Sequence, residues 1–231
     1  MIRLGLLCAL VLVLAPASPA SSWDGCTPKA GDVRFRAGDG TQLVGHRFGT
    51  GKTAVVLVHQ RRGSLCQWVP YAKRLASLGY TAFAFDLRGN GESQSRNWPA
   101  NQRYGGDAVA AVKFVRGAGA RKVFLVGASL GGSAAISGGA NARPAVDGVV
   151  SVSGAADLAG AIDAVKHLTV PTLFVAGAKD IDFANDARRL YAASPADDKT
   201  LEVLPGSYEH GVDLVAAQAR VRSLIERFIA R

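Results

Sequence analysis

Short apolar segments alternate along this chain with amphipathic ones. The apolar segments are typical of strands buried on both faces of a sheet, whereas the amphipathic ones have the period of a helix with one apolar face. Two strand-like segments, 33–37 and 42–48, alternate apolar and polar residues, and the other strand-like segments are 54–59, 81–85, 122–126, 146–153, 171–176 and 200–204. The helix-like segments are 67–78, 104–116, 158–167, 183–193 and 212–230. A Gly-Asp-Gly turn joins the first two strands as a hairpin. The alternation predicts βαβ units, and therefore an α/β fold with a mostly parallel sheet of about eight strands flanked by helices.

The strand predicted at 122–126 leads into a serine that is framed by glycines. Residues 127–132 read GASLGG, and an alanine-rich helical segment follows at 133–142. Gly-x-Ser-x-Gly between a strand and a helix is the pattern of a nucleophile elbow, a sharp turn that exposes the serine hydroxyl at the strand end. Its neighbours must be small because the turn is strained and crowded. The pattern predicts that Ser129 is a nucleophile.

The N-terminus has the layout of an export signal. A basic residue precedes an apolar run at 4–15, and small residues follow it. The run is too short for a comfortable membrane span. We therefore predict a signal peptide, residues 1–20, and a single domain, residues 21–231, that is secreted or extracytoplasmic and keeps no stable membrane anchor. Cleavage after Ala17 and an uncleaved anchor are the alternatives.

The mature chain would retain two cysteines, Cys26 and Cys66. Two cysteines in an exported chain suggest one disulfide. Two unrelated buried thiols are the alternative, because the sequence does not give the distance between them.

Charge and composition narrow the range of partners. The formal net charge is +9, but the basic residues are scattered, and no run of them interleaves with aromatic residues. Nucleic-acid binding is therefore not expected, although a basic surface can steer anionic partners. No cluster of histidine, cysteine and acidic residues has metal-ligand spacing, so we expect neither a metal nor an organic cofactor. The oligomeric state stays open.

Two further motifs lie at predicted strand ends. Val58-His59-Gln60 follows the third strand, and DLRGNGES at 86–93 follows the fourth. With the serine motif, and in this order, they resemble the α/β-hydrolase superfamily over essentially the whole mature chain. Within it, the chain is similar to small bacterial serine esterases and dienelactone-hydrolase-like enzymes. The resemblance implies the α/β-hydrolase fold, a Ser-His-Asp triad and a structural role for the loop at 86–93.

The chain order of that superfamily, serine then acid then histidine, selects the general base. His46 and His59 precede Ser129, and His167 lies in a predicted helix that follows no suitable strand end. His210 lies in the loop after the last predicted strand, where the superfamily places its base. The resemblance therefore implies that His210 activates Ser129.

The acid must orient the imidazole and stabilise its charged form. Asp180 follows the strand at 171–176 and matches the superfamily's usual acid position. Asp182 and Asp157 are the competing candidates, and both also fit capping roles at nearby helix starts. We predict Asp180 as the acid.

The oxyanion hole requires two backbone N–H donors. The resemblance implies Leu130, directly after the nucleophile, and Arg61, in the loop after the third strand. Gln60 stands where the superfamily commonly has glycine, so Gln60 is an alternative donor through its backbone or its side chain. His59 is interpreted as a structural residue whose ring binds nearby loops.

The surroundings of the site indicate its substrates. Only residues 154–170 are available for a lid, so little or no lid is expected. An open site favours small or short-chain esters, or the exposed end of a larger molecule. Arg61, Arg62 and Lys179 could make its mouth cationic and favour carboxylate-bearing substrates. We therefore predict a secreted serine hydrolase that cleaves small-molecule carboxylic esters through an acyl-enzyme. The alternatives are a peptidase or amidase, a dienelactone-type lactonase, and a catalytically silent binding module.

Overall fold

The computed structural model describes Cys26, residues 31–95 and residues 104–231. The predicted signal peptide, residues 1–20, lies outside these ranges. Within them, every helix is too short or too polar to cross a membrane.

The described part of the chain forms a sheet of eight strands in the order β1-β2-β4-β3-β5-β6-β7-β8. The strands are β1 Asp32–Arg36, β2 Gln42–Phe48, β3 Thr53–Val58, β4 Thr81–Phe85, β5 Lys122–Ala128, β6 Gly148–Val152, β7 Thr172–Gly177 and β8 Lys199–Leu204. β2 pairs antiparallel with β1 and with β4, and the other neighbouring pairs are parallel. The predicted α/β sheet with an antiparallel hairpin at one edge is confirmed.

Helices cover both faces of this sheet. They are α1 Val69–Ser77, α2 Tyr104–Gly117, α3 Leu130–Asn141, α4 Ala161–Ala164, α5 Ile181–Ala193, α6 Val212–Ala217 and α7 Ala219–Ile229, with 3-10 turns at Leu65–Trp68 and Val165–His167. The connection between β6 and β7 holds only α4 and one 3-10 turn. The expectation of little or no lid in this connection is confirmed.

The C-terminal segment differs from the prediction of one helix over 212–230. Gln218 has an extended conformation (φ −102°, ψ 104°) and separates α6 from α7. Its side chain donates to Glu209 at 3.2 Å, and Arg222 donates to the carbonyl oxygens of Val215 and Ala216 at 2.8 and 2.6 Å. These contacts satisfy polar groups at the break, and the apolar period alone does not reveal them.

The core has two halves because successive residues of β3 point to opposite faces of the sheet. Val56 and Val58 pack in one cluster with α2, α3 and α5, whereas Val55 and Leu57 pack in a second cluster with α1, α6 and α7. All four residues are 0% exposed. Each buried side chain of this size stabilises the fold by about 1.5–3 kcal/mol.

The parallel strands end at one common edge. Val58 at the end of β3 pairs with Gly127 of β5, and Gly177 at the end of β7 pairs with Leu204 of β8. Ligands of open α/β sheets bind outside the carboxyl ends of the strands. The loops after β3, β5, β7 and β8 therefore lie together at the edge where such a site is expected.

Candidate active site

Ser129 lies in the turn between β5 and α3 with a left-handed backbone (φ 52°, ψ −120°). This conformation costs a residue other than glycine on the order of 1–3 kcal/mol. The glycines two residues before and after Ser129 leave no room for a side chain. A Cβ at Gly127 would lie 2.0 Å from the carbonyl oxygen of Gly131, and a Cβ at Gly131 would lie 2.1 Å from the carbonyl oxygen of Val58. Ser129 donates its N–H to Val152 at 2.8 Å and is 8% exposed. The motif therefore corresponds to a strained turn that holds the serine at the sheet edge.

His210 and Asp180 are joined by a hydrogen bond of 2.8 Å between Nδ1 and Oδ2. Asp180 lies between β7 and α5, and His210 lies in the loop between β8 and α6. Because a carboxylate only accepts, Nδ1 carries the proton, and Nε2 of the neutral ring is the free base. The imidazole also packs against Phe183, with ring centroids 4.1 Å apart. These contacts set both the tautomer and the orientation of the ring.

One open cavity joins the two halves of the candidate site. It has a volume of about 330 Å³ and is lined by Gln60, Arg61, Arg62, Ser129 and His210. The structure thus brings the predicted nucleophile and the predicted base together with the loop after β3.

The two competing acids lie elsewhere. Asp157 pairs with Arg189 at 3.1 Å and is mostly exposed. Asp182 lies in the first turn of α5 rather than at its N-cap. Of the three candidate acids, Asp180 is the one that bonds to His210 in the described structure.

The predicted oxyanion donors belong to two segments that border Ser129. Leu130 is the first residue of α3, a position whose N–H has no acceptor within its own helix. Arg61 lies in the turn after β3 and lines the cavity with Ser129. Both backbone donors therefore come from segments next to the serine.

His59 is fully buried at the end of β3 and joins two loops. Its Nδ1 donates to the carbonyl oxygen of Gln60 at 2.8 Å, and its Nε2 accepts from the N–H of Leu87 at 2.9 Å. This pattern requires the neutral ring, and burial lowers the pKa of His59 to about 4. The loop after β3 is thereby attached to the loop after β4.

Asp86 and Arg88 stabilise the loop after β4. Asp86 accepts from the backbone N–H groups of Leu65 and Glu92 at 2.7 and 2.9 Å. Burial raises the pKa of Asp86 to about 6. Arg88 forms a buried ion pair with Asp107, with 2.6 Å between Nη2 and Oδ1. These contacts agree with the structural role that the sequence motif implied.

The side chain of Gln60 makes a contact that sequence reasoning missed. Its Oε1 accepts from the N–H of Val212 at 3.1 Å, two residues after His210. Gly211, which lies between His210 and Val212, donates its N–H to Ser153 Oγ at 3.2 Å. A Cβ at Gly211 would lie 2.3 Å from Gln60 Oε1. The signals in the sequence were a glutamine in place of the superfamily's glycine and a glycine directly after the histidine.

The mouth of the cavity carries two exposed guanidinium groups, those of Arg61 and Arg62. Neither forms an ion pair within the described ranges. Arg62 has a left-handed backbone (φ 59°). Lys179, the third predicted cation, donates to Tyr208 Oη at 2.6 Å and lies 4.5 Å from the centre of that ring. Among the described residues that line the cavity, the positive charge is therefore that of the two arginines.

A disulfide joins Cys26 to Cys66 in the structure, with Cα atoms 5.6 Å apart. This separation is ordinary for a disulfide. Among the residues described, no group of three or more histidine, cysteine or acidic side chains could hold a metal ion.

Comparison with known proteins identifies the family. Residues 49–168, more than half of the chain, match the family described as Serine aminopeptidase, S33. The chain belongs to the serine aminopeptidase S33 family. The part of this S33 member that matches the family contains Ser129, but it ends before Asp180 and His210. In the comparison with curated proteins, none matches this chain.

Solved structures with the same fold include several named hydrolases. An esterase from Pyrococcus furiosus has a TM-score of 0.73 at 17% identity, with 87% of this chain and 91% of the esterase covered. A dienelactone hydrolase from Anabaena variabilis has a TM-score of 0.72 at 22% identity, with 86% and 95% covered. Est1E from Butyrivibrio proteoclasticus, described with ferulic acid bound, has a TM-score of 0.70 at 16% identity, with 86% and 100% covered. This S33 member therefore has the α/β-hydrolase fold, and its family makes it a hydrolase.

Proposed function

We propose that this S33 family member cleaves carboxylic esters of small or short-chain substrates through an acyl-enzyme, with Ser129, His210 and Asp180 as its triad. The observation that carries the proposal is the 2.8 Å bond from His210 to Asp180, next to the cavity that His210 shares with Ser129. A serine hydroxyl is a weak nucleophile until such a base removes its proton.

The reaction uses these groups in two half-reactions. Ser129 Oγ attacks the carbonyl carbon while His210 Nε2 takes its proton, and Asp180 stabilises the imidazolium. The backbone N–H groups of Leu130 and Arg61 stabilise the negative charge that develops on the carbonyl oxygen. His210 returns the proton to the leaving alcohol. It then takes a proton from a water that attacks the acyl carbon, and it gives this proton to Ser129 Oγ as the acyl bond breaks and the carboxylic acid leaves.

The charge of the cavity favours ester cleavage over removal of an amino-terminal residue. An aminopeptidase binds the ammonium group of its substrate, for which a carboxylate is the natural partner. Among the residues that the structure describes, those that line this cavity include two arginines and no acidic residue. The Asp180 carboxylate is already bonded to His210. A substrate ammonium would therefore meet like charge at the mouth.

Labelling with a fluorophosphonate probe tests the nucleophile. The folded protein should react, and Ser129→Ala should not. His210→Ala should stay folded and lose turnover. An unreactive wild-type protein would support a catalytically silent binding module, and labelling that survives Ser129→Ala would refute the assignment of the nucleophile.

A substrate panel tests the reaction class. We expect turnover of p-nitrophenyl butyrate to exceed turnover of leucine p-nitroanilide and of a dienelactone. Preference for the anilide would support the peptidase or amidase alternative, and preference for the dienelactone would support the lactonase.

We also propose that the chain is exported and that its mature form begins at residue 21. The disulfide between Cys26 and Cys66 supports this, because disulfides persist in oxidising compartments. Mass spectrometry of the exported protein should find a start at Ser21 and no alkylatable thiol. An intact N-terminus or two free thiols would contradict the proposal.

A further inference from the structure

We propose that Gln60 acts through both ends of its side-chain amide. Its Oε1 fixes the loop that carries His210, and its Nε2 donates a hydrogen bond to the carbonyl oxygen of the substrate. The second part rests on the proposed ester cleavage at Ser129.

The partner at one end determines how the amide is oriented. The N–H of Val212 can only donate, so the Gln60 atom that lies 3.1 Å from it is the oxygen. The nitrogen is therefore turned away from Val212. It donates to no residue in the described ranges. Since Gln60 is half-buried and lines the cavity with Ser129 and His210, this donor is available to a molecule bound there.

The surroundings hold Gln60 in this position. Its own carbonyl oxygen accepts from His59 Nδ1 at 2.8 Å and from the N–H of Gly63 at 3.1 Å. At the other end of the side chain, only a residue without Cβ leaves room for Oε1, and Gly211 provides that room. A donor held by its backbone and by its oxygen has little conformational freedom left to lose when a substrate binds.

A donor in this cavity would act mainly on the transition state. Negative charge appears on the carbonyl oxygen only as Ser129 attacks, so a hydrogen bond from Gln60 Nε2 strengthens at that moment. It would add to the backbone donors Leu130 and Arg61. Such a contact changes kcat more than KM. The bond to Val212, by contrast, is present before any substrate binds.

Two substitutions separate the two ends. Gln60→Glu keeps an oxygen for the N–H of Val212 but loses the N–H donor and adds a charge. Gln60→Met loses both hydrogen-bonding ends and adds no charge. If both roles hold, kcat should fall on the order of 10²-fold in each variant with little change in KM. Hydrogen exchange at the Val212 amide should accelerate in Gln60→Met and stay slow in Gln60→Glu.

A matched control distinguishes this role from the loss of any similar hydrogen bond. Gln94 Oε1 also accepts from a backbone N–H, that of Gln42 at 3.1 Å, and Gln94 is not among the residues that line the cavity. Gln94→Met should leave kcat unchanged.

Each remaining outcome contradicts one part of the proposal. Wild-type kcat in either Gln60→Met or Gln60→Glu would refute the contact with substrate. Unchanged exchange at Val212 in Gln60→Met would refute the tie to the His210 loop. A wild-type protein without ester turnover would refute the proposed function instead. Hydrogen exchange at the Val212 amide would still test its hydrogen bond to Gln60.

Discussion

Asp86 and His59 titrate with opposite effects on stability, and Asp86→Asn separates the two effects. Burial raises the pKa of Asp86 from 3.8 to about 6, so protonation of this carboxyl favours the folded state. The stability gained in this way is fully present below pH 3.8 and is lost as the pH rises through about 6. Burial lowers the pKa of His59 from 6.5 to about 4, so the neutral imidazole favours the folded state. The stability gained in this way is fully present above pH 6.5 and is lost as the pH falls through about 4. Both residues are almost completely buried, at 2% and 0% exposure.

The magnitudes follow from the two shifts, since one pKa unit corresponds to about 1.4 kcal/mol. Acidification from pH 7 to pH 4 should stabilise the fold by roughly 2–3 kcal/mol through Asp86 and destabilise it by roughly 3 kcal/mol through His59. In the wild-type protein these contributions nearly cancel. Asp86→Asn removes the first and leaves the second, so the variant should lose about 2–3 kcal/mol more than wild type over this range.

Urea unfolding at half-unit steps between pH 4 and pH 7 measures the effect. Asparagine keeps one oxygen for either Leu65 or Glu92 and loses the other acceptor, but that cost is the same at every pH. The informative quantity is therefore how the difference in unfolding free energy between Asp86→Asn and wild type changes with pH. Parallel curves for the two proteins would refute the raised pKa of Asp86.

Four further outcomes are expected. Arg62→Gln should lower kcat/KM for monomethyl glutarate, an anion, more than for dimethyl glutarate, and added salt should shrink the difference; equal effects on the two esters would contradict a cationic mouth. Gly131→Ala should destabilise the fold by about 1–3 kcal/mol in urea unfolding, because its Cβ would lie 2.1 Å from a backbone carbonyl oxygen. Gly106→Ala in α2, where a Cβ meets no atom of the described residues within 4 Å, should stabilise it by about 0.5–1 kcal/mol, and matching values for the two glycines would oppose this reasoning. Replacing Cys26 and Cys66 together by serine should cost about 4 kcal/mol for a separation of 40 residues, visible as a lower Tm, and an unchanged Tm would show that the bridge does not form.

The central strands β3 to β7 were predictable because their mostly apolar residues leave no polar face. Val55 and Val56 contact different halves of the core, and both are fully buried, so an unbroken apolar run is what the sheet requires. The break at Gln218 was not predictable in the same way. It depends on the contact of Gln218 with Glu209 and on that of Arg222 with the end of α6, and neither contact leaves a mark on the hydrophobic period.

The positions of the candidate site residues were predictable to the level of a loop. Ser129, Asp180 and His210 each follow a parallel strand, and such strands end at a common edge. The choice between Asp180 and Asp182 depends on side-chain direction, which a separation of two residues does not determine. The bond from Gln60 to Val212 joins residues 152 positions apart, and pattern reasoning along the chain cannot detect it.

The left-handed backbone of Ser129 sets the proposed catalytic role of this residue against the thermal stability of the fold. Glycine adopts φ near 52° without the steric cost that a side chain carries. Ser129→Gly should therefore melt at a higher temperature than the wild-type protein while having no hydroxyl to attack a substrate. Laboratory evolution that selects only for folding or expression would favour loss of the Ser129 hydroxyl. Screens for more stable variants therefore need to keep a selection for turnover.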